Sequence, residues 1–423
     1  MIDSEIRTYT YSNGEFQRVQ IVRAENWNSL QFITPAITKE AFQVMCDVYR
    51  DQMIRVAPMI FGELVLFHIP DDMELPFSVP GISDKHTAAR IRLMRNYDAP
   101  DSQLFLKQLE ERGFLRIEKG KLPVRRIISY TNAGFLSDCC PEAALKVNAS
   151  FFTFDVPDGD SPYDVFGTPV GLMVKDGKIL NPPLYDREAL IVDRHGNVSV
   201  RQINLRNISC SIKGTIYERP FRRRTPFAAG NDVVIIGNKV IAVRPGGNTV
   251  IPTSGFVIHT DRTDICPGDH VEYTGLENVI FAIQAGNSVM VNGRMTDRFI
   301  SRFYNIYHLE SVVFPPCLYP LDFEKSRAPR IMLGTDCSGK PVFVWAEGAG
   351  KSGYEPGKES CGASLKELGM IARDIGLYNA VNLDGGGSAQ ILLNNRRELM
   401  VSGRDPVTGS DKERPVANGI MII

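Results

Sequence analysis

The chain has 423 residues and a formal net charge of -1, with 43% hydrophobic and 23% charged residues. That size and composition predict an ordinary globular protein of two or more domains with ample material for a core. Near neutrality argues against a general nucleic-acid binder, which would carry a basic excess, and no apolar run is long enough to span a bilayer.

The N-terminal stretch "MIDSEIRTYTYSNGEFQRVQ" lacks the basic and apolar regions of a secretory leader, so a cytoplasmic location is expected. Next, "ITKEAFQVMCDVYRDQMIRV" (37–56) repeats apolar residues at three- and four-residue steps, which predicts a helix. A proline-rich stretch follows. "SDKHTAARIRLMRNY" (83–97) reads as a solvated helix face. "DSQLFLKQLEERGFLRI" (101–117) reads as a helix capped by Asp101 or Ser102 and stopped at Gly113. No catalytic motif appears in residues 1–126, which are expected to form an accessory α/β region.

From residue 127 the texture changes to short β runs separated by turns. Asp176-Gly177, Gly237-Asn238, Asn292-Gly293 and Ser338-Gly339 each predict a hairpin, because primed turns need positive φ. "SLKELGMIARDIG" (364–376) predicts a helix with Ser364 and Glu367 as its capping box and Gly376 as its stop. The expected fold is α+β: a mixed or antiparallel sheet covered by helices. The eight cysteines are scattered and contain no C-x-x-C pair. They read as reduced, mostly core residues. The scattered histidines give no zinc motif, so no metal or cofactor is expected, although a divalent cation is allowed.

The chemistry concentrates in "VNLDGGGSAQ", Val381–Gln390. A glycine run costs conformational entropy, so Gly385, Gly386 and Gly387 imply either backbone angles reserved for glycine or close approach of another group. With Asp384 before and Ser388 after, the run suits an anion-binding nest, or else a structural turn. "KVNASFF" delivers Asn148 at a strand end, either as a sugar-binding amide or as a turn former. Arg294, Arg330 and Arg414 are surface charges unless they converge on the glycines as an anion clamp. Asp384 and Glu347 are the candidate catalytic carboxylates, Glu347 because it ends an apolar strand before a glycine-rich loop.

The motifs "VNASFF", "TPVGLMVKDGKIL", "NTVIPTSGFVIH", "APRIMLGTD", "NLDGGGSAQILLN" and "ERPVANGIMII" occur in this order. Together they resemble the phosphodiester glycosidase, or NAGPA-type, family over residues 127–423. The resemblance implies hydrolysis of a sugar-1-phosphodiester, releasing an N-acetylglucosamine-like sugar and a phosphomonoester. The partner implied is a small-molecule or glycan phosphodiester, with no nucleic acid and no membrane; the oligomeric state stays open. The sequence departs from the family where "NGGFF" reads "NASFF" and where "DGR" reads Glu347-Gly348-Ala349, for which Lys351 would supply the missing basic group. Two alternatives stand beside this reading: a metal-dependent phosphodiesterase cleaving P–O, and a non-catalytic glycan- or nucleotide-sugar-binding module.

Overall fold

Turn chemistry sets the architecture. Asp176 and Gly177 take φ of 49° and 80°, and Asn292 and Gly293 take 51° and 74°. Two successive left-handed residues make the primed turn whose twist suits antiparallel strands. These turns close Met173–Lys175 onto Lys178–Asn181 and Ser288–Val291 onto Arg294–Met295. The turns at Gly237 and Gly339 likewise join Asn231–Ile236 to Lys239–Pro245 and Arg330–Thr335 to Pro341–Ala346. The computed structural model describes residues 2–35, 72–80, 85, 88–89, 92, 99–112, 134–152, 168–183, 187–217, 229–247, 249, 255–296, 326–349, 355–403 and 410–423.

The largest sheet has seven strands, in the order Ile2–Thr10, Phe16–Ala24, Pro341–Ala346, Arg330–Thr335, Asn379–Asn382, Ser288–Val291 and Arg294–Met295. A four-stranded sheet runs Ile391–Leu393, Leu145–Asn148, Gly419–Ile422 and Leu30–Ile33. A five-stranded sheet centred on Val279–Ile283 and two three-stranded sheets complete the β structure described. The strand ladders are all antiparallel.

This corrects the expected α+β fold with covering helices. The chain is predominantly β, and among the described residues the α-helices are Pro100–Glu111 and Leu365–Asp374. The second behaves as its sequence predicts. Ser364 and Glu367 make both capping-box bonds, and Gly376 follows with φ of 78°. Its face of Leu365, Leu368, Ile371 and Ala372 packs on Val289, Met332 and Val344 of the largest sheet. The opposite face of that sheet, carrying Ile331, Leu333, Phe343 and Trp345, packs on Val147, Ile191, Phe281 and other strand residues. Sheets therefore bury the apolar face that helices were expected to cover, because alternate strand residues supply matching apolar faces. The helix expected over 37–56 lies outside the described residues, as does most of 83–97.

Strands from the N-terminal residues enter two of these sheets. Phe16–Ala24 pairs with Pro341–Ala346, and Leu30–Ile33 pairs with Gly419–Ile422. Strands from both sides of residue 126 thus share sheets. The six described cysteines are free thiols, but of these only Cys210 is buried. Cys46 and Cys317 lie outside the described residues.

Candidate functional site

Asn379–Asn382 belongs to the largest sheet, whereas Ile391–Leu393 pairs with Leu145–Asn148 in the four-stranded one. "DGGGS" is therefore a crossover between sheets rather than the reversal of one strand onto the next. Each glycine has its own reason. At Gly385 a Cβ would stand 2.6 Å from the Pro329 carbonyl oxygen, a backbone atom. Gly386 takes φ of 58°, and its Cβ side faces open space. At Gly387 a Cβ would overlap the Arg414 guanidinium. The close approach anticipated from the sequence is thus made in part by the protein's own arginine.

Asn148 locks the crossover at both ends. Its Nδ2 donates to the Asp384 carbonyl at 2.7 Å, and its Oδ1 accepts from the Gln390 amide at 2.9 Å. The Asp384 amide donates to the Ala149 carbonyl at 2.9 Å. A buried amide used twice on the backbone is a positioning group. The residues that depart from "NGGFF" fit without strain. Ala149 and Ser150 are buried and neither has positive φ. The Ser150 amide donates to Asn418 Oδ1, and its hydroxyl donates to the Val170 carbonyl.

Asp384 lies half-buried at the head of the crossover. Burial pushes its carboxyl up to about 7, against the smaller opposing pull of a Ser388 hydrogen bond, the Arg414 charge and the Gly385 amide. A carboxyl poised there exchanges protons near neutral pH. The turn's other amides are largely committed: Gly386 donates to Pro329, Ser388 to Gly385 and Ala389 to Gly386. Gly387 has no acceptor for its N–H among the described residues, and the Arg414 guanidinium lies against the same glycine. Of the turn's amides, that of Gly387 is the one left uncommitted among the described residues, with the Arg414 guanidinium as the neighbouring cation.

Glu347 is differently placed. It ends the strand beside Arg330–Thr335, on whose other side Asp384 lies. Two strand spacings separate the two backbones, about 10 Å. Its buried carboxylate accepts from Arg18 at 2.7 Å on each oxygen, from Ser360 at 2.6 Å and from the Met400 amide at 2.9 Å. Such a carboxylate ties four segments together. Arg330 packs along Gly385, yet its guanidinium donates to the Ala363 and Ser326 carbonyls at 2.9 and 2.8 Å. Arg294 is exposed in the hairpin beside Tyr378, at the opposite end of Asn379–Asn382 from the glycines. The structure therefore brings Asp384, Ser388, Arg414, Asn148 and the glycines together, sets Glu347 and Arg330 beside them as bracing groups, and leaves Arg294 outside. Lys351 lies outside the described residues.

Sequence reasoning missed Gln390 and Arg18. Gln390 is fully buried behind the crossover, with its Oε1 lacking a hydrogen-bond partner among the described residues and its Nε2 donating to the Arg414 carbonyl at 3.5 Å. A polar residue entering the apolar run "AQILL" was its only local signal. Arg18 gave none, being 329 positions from Glu347.

No curated protein matches the chain. Among solved structures, a hypothetical protein from Synechocystis is 16% identical with a TM-score of 0.44. That match covers 100% of this chain and 62% of the other, so this chain spans less than two thirds of that protein. The zebrafish N-acetylglucosamine-1-phosphodiester alpha-N-acetylglucosaminidase catalytic domain, auto-inhibited by its pro-peptide, is 12% identical with a TM-score of 0.38, covering 100% of this chain and 82% of the other. A Burkholderia pseudomallei protein described as exported is 15% identical with a TM-score of 0.42, covering 100% and 97%. No helix of the described residues is long and apolar enough to cross a membrane. The sequence model of the phosphodiester glycosidases matches residues 141–423, well over half of the chain, and the chain belongs to that family.

Proposed function

We propose that the chain hydrolyses a glycosyl phosphodiester at the sugar C1–O bond, releasing free sugar and a phosphomonoester. The observation that carries this reading is the Asp384 carboxyl, poised at about 7 and flanked by Arg414 and the Gly387 amide. A phosphomonoester is a weakly basic leaving group, so its departure needs little acid catalysis, unlike that of a sugar alkoxide. The site then needs a base and an anion sink. Asp384 as carboxylate takes a proton from water while the water oxygen bonds to C1. The C1–O bond breaks with its electron pair staying on the phosphate. Arg414 and the Gly387 N–H oppose the charge that collects there. Ser388 and Asn148 hold Asp384 in line. The preferred sugar is an N-acetylglucosamine-like hexose, and no role in the chemical step is assigned to Glu347.

The test is incubation with a panel of sugar-1-phosphodiesters in oxygen-18 water, with products read by mass spectrometry and Asp384→Asn as control. Label on the sugar C1 hydroxyl, lost in the variant, is the expected result. Label on phosphate overturns the reading in favour of P–O cleavage.

A further inference from the structure

The strand Ile2–Thr10 is one edge of the largest sheet. It pairs inward with Phe16–Ala24, and among the described residues no strand pairs with its outer side. It is nine residues long and keeps unbroken register, without bulge, proline or glycine. Natural sheets usually shorten, bulge or block such an edge, or place charge on it, because its free N–H and C=O groups recruit other strands. The device present here is charge: Glu5 and Arg7 flank Ile6, which is 46% exposed.

That charge pattern is self-complementary. Two copies of the strand paired antiparallel about a two-fold axis through Ile6 set Glu5 opposite the partner's Arg7, and Arg7 opposite the partner's Glu5. The same register sets Ser4 against the partner's Thr8, Asp3 against the partner's Tyr9 and Ile6 against the partner's Ile6. Opposed unlike charges and β-branched pairs favour such a ladder, whereas shifting it by two residues along one copy loses this match. The charged side chains are already ordered. Glu5 accepts from Arg7 at 3.0 Å and from Arg23 at 2.7 Å, and Tyr9 donates to Asp374 at 2.7 Å. We propose that this edge is the contact between two copies of the chain, joining their largest sheets into one continuous sheet.

The test is sedimentation velocity across a wide concentration range on the full chain and on three preparations: Glu5→Arg, Arg7→Glu, and the two variants mixed. The wild type should shift from monomer to dimer as concentration rises. Each single variant opposes like charges and should remain monomeric under the same conditions. The mixture restores two unlike pairs and should dimerise, which also shows that the single variants are folded. A wild type that stays monomeric throughout overturns the proposal. So does a dimer that neither variant weakens, or a mixture that fails to associate.

Discussion

The three glycines of the crossover can be separated by alanine substitution, because each meets a different obstacle. Gly386→Ala meets no atom within 4 Å and pays only for its left-handed φ of 58°, about 1–2 kcal/mol. Gly385→Ala drives a Cβ to 2.6 Å from the Pro329 carbonyl oxygen. A backbone atom there cannot swing aside, so the start of the neighbouring strand must shift at about 2–3 kcal/mol. For Gly387→Ala, the three atoms nearest the Cβ all belong to the end of a flexible side chain, the Arg414 guanidinium. Its cost in stability should therefore stay at or below about 1 kcal/mol, while turnover falls about 100-fold, as expected on losing one group that stabilises the developing anion. Urea unfolding gives the first quantity, and turnover per folded molecule gives the second. Arg414→Ala should reproduce the loss, and the double variant should add little to either single one. Full turnover by Gly387→Ala, or a Gly385→Ala protein as stable as Gly386→Ala, would refute this assignment.

Three further outcomes are expected. Glu347→Ala strands the Arg18 guanidinium, the Ser360 hydroxyl and the Met400 amide, so it should cost about 3–5 kcal/mol in urea unfolding while the remaining folded fraction keeps its turnover; a stable but dead variant would make Glu347 a participant in the reaction. The Asp384 carboxyl sits at about 7 when folded against an ordinary 3.8, so the native state gives up stability as pH rises through 7. Asp384→Asn should then be more stable than wild type above that pH, by about 1–3 kcal/mol, and the gap should close toward pH 4; a variant less stable at alkaline pH would contradict this. His259 is raised above 6.5 by the buried Asp232 carboxylate at 2.8 Å, with the Ala229 carbonyl adding to the effect. Its stabilisation is full below 6.5 and lost as pH rises through the raised value, so melting of wild type but not of His259→Phe should weaken across that window.

The parts of this molecule legible in the sequence are those fixed within a few residues. Asp176-Gly177 and Asn292-Gly293 read as turns because their left-handed angles are local demands, and the cap of Leu365–Asp374 read correctly because Ser364 and Glu367 are neighbours. The partition into sheets was not legible. Leu30–Ile33 finds its ladder at Gly419–Ile422, and the crossover strands on either side of "DGGGS" choose different sheets. Periodicity marks a buried strand face but not what buries it, which is why covering helices were expected where sheets lie. The glycine run and Asn148, each singled out by local composition or position, come together because Asn148 bonds the backbone on either side of the run. The hydrogen bonds that hold Glu347 left no local trace, because its partners Arg18, Ser360 and Met400 come from three separate segments. Arg294 looked equivalent to Arg414, but hairpin register carries it to the far end of Asn379–Asn382.

Asp384 acting as the base near neutral pH is tested most directly by the pH dependence of kcat/KM on a sugar-1-phosphodiester that the enzyme turns over. Activity should rise with pH through a single limb centred near the carboxyl's value of about 7. Ser388→Ala removes a hydrogen bond that holds the carboxylate form, so it should move that limb to higher pH. A profile flat through neutrality, or a limb that stays in place in Ser388→Ala, would contradict the assignment of the reaction to Asp384.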